Sequence, residues 1–529
     1  MAGENTALAI GKAMVTAPVP AADWLVIAPL IVTMMGGALC VMTRKRTEYQ
    51  PQIAFVFLTA LVAVNIALLS HVTNSGVVVM VMGKWLAPFG IAFSVDTTSA
   101  ILSLVASIVA WCVGLYGIVD VNNTGRRYGF YPFLLLLMTG VCGSFLTGDI
   151  FNLYVWFEVL LISSFGLLIL GNEKIQLDGA LKYAILNFTA TTLFLIATGL
   201  LYGLIGTLNM ADIAVKVKTL PDGAPLGAIT ALYLLAFGMK AAAFPVNFWL
   251  PASYHTPRIV VSAVFAGLLT KVGVYALLRT LVMLLPEGRS AMAEIIAIIA
   301  VVTMLTGVMG ALAQTDIRKA LGYLVISGIG SMLAGMAIGT GSAVAGTLFY
   351  AVHSIIVMTA LYLVTGLIGR MGGSFDIREL GGLYKGSPVL AGLFLVLCFA
   401  VSGLPPFSGF WPKVILVESS LKESYYWVAV AILLTGFLTT LSVGRIWIYA
   451  FWRGGPESAP DNSEEGKIIP LSESLTGSQA ALWIPIALLV SLVVVIGVAP
   501  EAMFRIVGQG AVGLIDPSAY ISQVLGGAK

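Results

Sequence analysis

The sequence is poor in charge. Lys and Arg number 28 and Asp and Glu 25, so charged residues make up 10% of the 529 positions, against about 25% in a soluble globular domain. So few charges cannot clothe a water-facing surface of this size. With 59% of residues hydrophobic and a mean hydropathy of +0.98, the solvent the chain is built for is lipid. The net charge is only +3 and contains no Lys/Arg block, which excludes a nucleic-acid partner. Histidine occurs three times, too few to supply a His/Cys metal centre. Cys40, Cys112, Cys142 and Cys398 lie in apolar runs with no CxxC spacing and read as small buried hydrophobes. A GxxxxGK[ST] loop and a strand-turn-helix GxGxxG are both missing, so nucleotide chemistry is excluded and no bound cofactor is expected. The opening MAGENTALAIGKAM lacks a basic region followed by an apolar core, so no cleaved leader is expected.

What is present is a succession of apolar runs. A bilayer core about 30 Å thick takes about 20 apolar residues per helix, and on that measure the chain divides into fourteen spans between residues 23 and 499. The stretch from Gly76 to Ser94, interrupted by Lys84, Pro88 and Gly90, reads as an external loop or hairpin. Residues 453–480 form the one long polar connection, and 501–529 are less apolar and read as lying along the surface. Short loops rich in Lys and Arg stay in the cytoplasm. One set of loops holds fifteen such residues, among them Arg44, Lys45, Arg46, Arg126 and Arg127, and the other set, with helix ends and termini, holds nine. Both termini are therefore expected outside, in a multi-pass plasma-membrane protein.

Five ionisable residues stand at mid-span, where a charge costs at least about 2.5 kcal/mol. They are Glu158 in DIFNLYVWFEVLLISSFGLLIL, Lys240 in LLAFGMKAAAFPVNFWLP, Lys271 in VVSAVFAGLLTKVGVYALLR, His353 in LFYAVHSIIVMTALYLVTG and Lys413 in SGLPPFSGFWPKVIL. A structural ion pair accounts for Glu158 with Lys240 but leaves two lysines over. Arg279 and Arg445, nearer span ends, read as structural pairs or as side chains reaching for the interface. Desolvation disfavours the charged form of a buried ammonium and a nearby carboxylate favours it, so a lysine with a movable carboxylate partner is a switchable proton site. Several in a row, joined by water and by an imidazole that titrates near neutrality, make a relay across the membrane centre.

Two of these lysines lie on broken spans. The seventh carries Lys240 with Pro245 and Pro251, and the twelfth carries Pro405, Pro406 and Pro412 before Lys413. Proline removes a helix hydrogen bond, and irregular backbone is tolerated at this depth only where it lines protein or a water-filled cavity. The broken spans hold corresponding places in two five-helix runs, the pattern of an inverted repeat. The reading is an all-α polytopic membrane protein of about fourteen transmembrane helices, with spans 7 and 12 broken. Its parts are helices 1–3 (1–129), a first five-helix repeat and proton half-channel (130–285), an inverted second repeat and half-channel (286–452), and a cytoplasmic loop, last helix and tail (453–529).

From FGMKAAAFPVNFWLPASYHTPRIVVSAVFAGLLTKVGVYALLR, GDIFNLYVWFEVLLISSFGLL and SGLPPFSGFWPK, the chain resembles the antiporter-like subunits of respiratory complex I and of the multisubunit Mrp cation/proton antiporters, over roughly residues 100–450. FWLPASY and FNLYVWFEVLLISS look most like the D-type Mrp subunits. An A-type subunit would imply a longer C-terminal extension than this sequence carries. The resemblance implies a secondary-transporter subunit, not an enzyme, that moves protons in exchange for sodium or lithium and assembles with Mrp subunits of types A, B, C, E, F and G. It implies that Glu158 and Lys240 form the ion pair of one half-channel, Lys271 the central relay and Lys413 the terminal site of the second. His353 lies on the helix where relatives place relay residues. Relatives often carry a lysine about one turn further on, where this chain has Val357 and Met358, so the bridge from Lys271 to Lys413 must rest on His353, hydroxyls and water. The rival readings are a pump subunit of a redox complex of the complex I type and a scaffold whose buried charges dock partners.

Overall fold

The computed structural model describes residue 14 and residues 19–221, 223–454 and 479–526. Lys12, Lys467, Lys529 and nearly all of the long polar connection lie outside the described residues. Among those described, ten helices are long and apolar enough to cross a membrane, and four shorter apolar helices accompany them. The chain is a mostly helical, multi-pass membrane protein.

Short connecting helices apart, the helices are α1 (Ala28–Met42), α2 (Gln50–Ser75), α3 (Thr97–Asp120), α4 (Phe130–Leu146), α5 (Ile150–Leu168), α6 (Lys174–Ile205), α7a (Leu226–Ala241) with α7b (Trp249–Ser253), and α8 (Ile259–Leu284). They continue as α9 (Ala293–Ala313), α10 (Ile317–Ile338), α11 (Gly341–Gly372), α12a (Pro388–Ser402) with α12b (Phe410–Lys422), α13 (Tyr426–Trp452), α14 (Ala480–Val498), α15 (Glu501–Ile515) and α16 (Ser518–Gly526). Between α2 and α3, strands β1 (Val78–Val81) and β2 (Ala92–Val95) pair antiparallel, Val78 opposite Val95. Of the external loop or hairpin expected there, it is a hairpin that is present.

Depth in the bundle follows from burial. α8 and α11 are buried along the whole of their most apolar stretch, whereas α2 presents most of its surface outward. The central position of α11 comes from its neighbours: α3, α8, α10, both halves of α12, α14 and α15 all pack on it. The two mid-span residues on these central helices, Lys271 and His353, are 1% and 2% exposed.

Both breaks have one geometry, repeated 161 positions apart. α7a stops at Ala241 and α12a at Ser402, and the next residues, Ala242 (φ 61°) and Gly403 (φ 83°), turn left-handed. Each break carries a cis X-Pro peptide, at Pro245 and Pro406, and the second half-helices begin at Trp249 and Phe410. Pro251 and Pro412, expected among the helix breakers, are not in the breaks. Each is the third residue of the second half-helix, where the backbone N–H has no intrahelical partner to lose. Pro245, Pro405 and Pro406 do lie in the breaks.

A second correspondence joins the loops. Ile150 N donates to the Leu208 carbonyl (2.9 Å) and Met210 N to that of Gly148 (2.9 Å). In the second half, Ile317 N donates to the Phe375 carbonyl (3.0 Å) and Ile377 N to that of Thr315 (3.0 Å), 167 positions on in every case. The helices begun by these loops are capped alike, by Asp149 accepting from Asn152 N and Asp316 from Arg318 N. In the second loop, the Arg378 guanidinium beside Asp376 holds its carboxyl down at about 2.

Ala242 is the one of these two turn residues with a Cβ, and it is fully buried. A left-handed conformation costs a residue with a Cβ roughly 1–2 kcal/mol, and a β-branched residue more. Ala242→Gly is therefore expected to keep or raise the melting temperature, and Ala242→Val to lower it. A thermal scan in detergent in which valine melts no lower than alanine would contradict the assignment.

The tail differs from the sequence reading. α15 buries Val507, Gly510, Ala511 and Leu514 against α3 and α11, and on α16 Tyr520 is 2% exposed. One face of the tail belongs to the core.

Candidate functional site

Lys240 lies in the last turn of α7a, where the aligned peptide dipoles place negative charge and favour a cation. Its Nζ donates to Thr191 Oγ1 on α6 at 2.9 Å and stands 4.8 Å from the centre of the Phe157 ring. Glu158, the next residue on α5, lies within Coulombic reach. It is half-buried and, among the described residues, makes no ion pair within 4 Å. The ion pair expected of Glu158 and Lys240 is thus not a direct contact here: the ammonium turns to a threonine, and the carboxylate stays more than 4 Å from it. Trp249, from α7b, donates its indole N–H to the Met239 carbonyl (3.0 Å) across the break.

Lys271 is placed by a distortion of its own helix. Residues Phe265–Leu269 of α8 are π-helical, and a π turn upsets the regular ladder and frees carbonyls. Lys271 Nζ takes one, donating to the Ala266 carbonyl at 2.6 Å. Thr359, from α11, donates to the Ala263 carbonyl (3.3 Å) as well as to its own helix. No carboxylate reaches the ammonium among the described residues.

On α11, His353 Nδ1 shares a hydrogen bond of 2.8 Å with Ser408 Oγ, inside the α12 break, and Ser408 N donates to the Val493 carbonyl of α14 at 3.2 Å. His353 is within Coulombic reach of both Lys271 and Lys413. Lys413 reaches back from α12b across its break, donating to the Ser402 carbonyl at 2.6 Å and the Val401 carbonyl at 3.3 Å. Its ammonium occupies the carbonyl end of α12a, whereas that of Lys240, carried on the last turn of α7a, turns to Thr191 on α6.

Arg279 shows what a structurally paired buried charge looks like in this chain. It is 1% exposed and donates to Asp96 Oδ1 (2.6 Å), Ser99 Oγ (2.9 Å) and Tyr275 OH (2.9 Å), with the Tyr520 ring 5.5 Å away. Of the two expectations for it, structural pairing holds. Arg445 donates to the Gln314 carbonyl.

Thr191, Thr359 and Ser408 complete the site, and sequence reasoning does not single them out. Ser408 alone has a signal, lying within the SGLPPFSGFWPK run between Pro406 and Lys413. Among the described residues no three His, Cys, Asp or Glu side chains gather as a metal site. At the end of the bundle where α3, α6, α8 and α11 meet the basic loops, a polar cleft of about 380 Å³ is lined by Asp120, Glu173, Arg258, Arg318 and Arg370 among others.

Residues 147–439 match the transmembrane family described as NADH:quinone oxidoreductase/Mrp antiporter. This chain belongs to that family. Within the NADH:quinone oxidoreductase/Mrp antiporter family it is similar to the D-type subunit of the Na(+)/H(+) antiporter of Alkalihalophilus pseudofirmus, 38% identical over 95% of this chain and 99% of that protein. Its counterpart in Bacillus subtilis is 34% identical over 94% and 99%. Among solved structures, a chain of the Mrp complex from Dietzia sp. DQ12-45-1b superposes with a TM-score of 0.86 at 28% identity, covering 96% of this chain and all of that one. A chain of respiratory complex I from Thermus thermophilus gives 0.79 at 23% identity over 93% of this chain and all of that one, a likeness of fold. The kinship with D-type Mrp subunits expected from the motifs is therefore borne out, and nearly the whole length of this family member takes part in it.

Proposed function

We propose that this chain is the proton-translocating D-type subunit of a multisubunit Na+(Li+)/H+ antiporter, moving protons along Glu158, Lys240, Lys271, His353 and Lys413 in exchange for sodium. The observation that carries the reading is the state of the three lysines. Lys240 and Lys271 are buried and Lys413 is half-buried, and each is bonded to a hydroxyl or a freed carbonyl, with no carboxylate within 4 Å among the described residues. A charge buried for structure is paired, as Arg279 is with Asp96, because an unpaired one is costly. Neutral acceptors hold an ammonium and equally tolerate the amine left when a proton departs.

The order along the membrane runs from Glu158 and Lys240 in the first half through Lys271 to His353, Ser408 and Lys413 in the second. The shared geometry of the two breaks and the matched loops support two inverted repeats, 130–285 and 286–452, flanked by 1–129 and 453–529 and giving fourteen spans in all. The distribution of Lys and Arg supports both termini outside, in a bacterial plasma membrane. Partners on this reading are the other Mrp subunits, of types A, B, C, E, F and G, as the D-type names of the relatives suggest, and no bound cofactor takes part.

The reading is tested with Lys240→Ala and Glu158→Ala in inverted vesicles containing the complete complex. Both are expected to assemble to the wild-type level and to lose sodium-driven pH exchange by roughly a hundredfold, the scale of a lost acid-base group. An assembly defect as large as the loss of activity would favour the scaffold. Wild-type proton movement that needs a reduced electron donor would favour the redox pump.

A further inference from the structure

Five basic residues lie in two neighbouring connections at one end of the bundle: Arg44, Lys45 and Arg46 between α1 and α2, and Arg126 and Arg127, which end a short helix (Asn123–Arg127), between α3 and α4. The loops are joined, because Arg44 Nε donates to the Arg127 carbonyl at 3.0 Å. Against the five stands one carboxylate in the same loops, Glu48, and none of the five enters an ion pair among the described residues. Arg126 points its Nη2 to the Ile118 carbonyl (2.6 Å), and its buried Nε has no partner. Arg44, Lys45, Arg46 and Arg127 are exposed.

Uncompensated positive charge on a loop is ordinary for a membrane protein, but here a cleft lies beside it. About 340 Å³ opens between α4 and α5, lined by Tyr128, Phe133, Gly166, Ile169, Leu170 and Asn172. Tyr128 is 55% exposed and Ile169 42%. Apart from Asn172 and the phenol of Tyr128 the lining side chains are apolar, and the cleft runs from Tyr128, next to Arg127, past Phe133 on α4 to Gly166 in the last turn of α5 and the residues that follow it. Tyr49 and Tyr128, both exposed, adjoin the basic residues, and amphipathic aromatic rings of this kind settle at a membrane interface. Positive charge above and an oily slot below complement an amphiphile with an anionic head.

We propose that the joined Arg44 and Arg127 loops and the cleft beneath them bind one anionic phospholipid. The guanidinium groups hold its phosphate, and one acyl chain lies between α4 and α5. The site is remote from the lysines of the relay and does not depend on the reading of their role.

Native mass spectrometry of the full chain, extracted from membranes with the subunits that co-purify and equilibrated with phosphatidylglycerol and phosphatidylcholine, tests this. Phosphatidylglycerol adducts are expected to exceed phosphatidylcholine adducts by roughly tenfold. Arg44→Gln with Arg127→Gln is expected to cut them by roughly fivefold or more, since basic residues near the surface each add to anionic-lipid binding. Arg44→Lys with Arg127→Lys keeps them, and excess inorganic phosphate does not displace them, because the chain in the cleft contributes. Independently of those variants, a photoreactive benzophenone amino acid at position 169 is expected to cross-link to lipid. Equal retention of the two lipids, unchanged adducts in the glutamine variant, displacement by free phosphate, or a cross-link to polypeptide at position 169 would each overturn the proposal.

Discussion

Lys271→Ala is expected to abolish cation-dependent proton exchange in inverted vesicles, by about a hundredfold or more, at unchanged assembly. The fold has little reason to object. Lys271 balances no buried carboxylate, so its removal orphans no charge, and the Ala266 carbonyl it leaves is in a π turn that can close back toward the regular ladder. Lys271→Arg separates charge from proton transfer. Arginine keeps the positive charge and the donor, but a guanidinium does not deprotonate in proteins, so this variant is also expected to be inactive. Full exchange in Lys271→Arg would mean that a fixed cation suffices at this point and would remove Lys271 from the relay.

The opposite outcome is expected at Arg279. Arg279→Met strips Asp96 of its guanidinium partner in a site where both side chains are nearly sealed from solvent. Removing one member of a buried ion pair costs about 3–5 kcal/mol, so this variant is expected to accumulate poorly and to melt well below wild type. Asp96 is also the cap of α3, accepting from Ser99 N, so its stranded charge unsettles the start of a helix packed on α11. Combining Arg279→Met with Asp96→Asn removes the charge on both sides, and is expected to recover at least about 1–2 kcal/mol of what the single changes lose. Melting curves of the four proteins, wild type included, decide the point. Strictly additive losses would mean that the pair is not coupled.

The two expectations rest on features of unequal visibility in the sequence. Proline and glycine beside a lysine in an apolar run are written in one stretch of chain, so both broken spans and all three lysines can be read directly. The hairpin between α2 and α3 is legible in the same way, from small residues and single charges where a span would be uniform. Partners are not. Lys240 and Thr191 are separated by 49 positions and Arg279 and Asp96 by 183, and no local pattern ties them. Opposite charges at one depth invite a pairing of Glu158 with Lys240, yet packing aims the ammonium at a hydroxyl. Residue type alone marks every proline as a breaker, although the consequence of a proline depends on which N–H it removes: Pro245 falls in a break, Pro251 in a first turn. The tail reads as superficial because its apolar residues are diluted, and only the folded chain shows that they share one side of α15. The π turn that positions Lys271 has no signature in VFAGLLTKVG beyond its small residues.

The two breaks repeat at a spacing of 161, with one exception that concerns charge. The position matching Lys240 is Val401, and the lysine of the second break is Lys413, twelve residues later and on the other half-helix. Its long side chain carries the ammonium back to the carbonyls of Val401 and Ser402. What the halves have in common is a lysine at each break whose ammonium is held by neutral oxygens, Thr191 Oγ1 in the first and two main-chain carbonyls in the second, and the position that supplies it differs. Aligning the halves column by column would pair a lysine with a valine and record a loss, although each break keeps a lysine of its own.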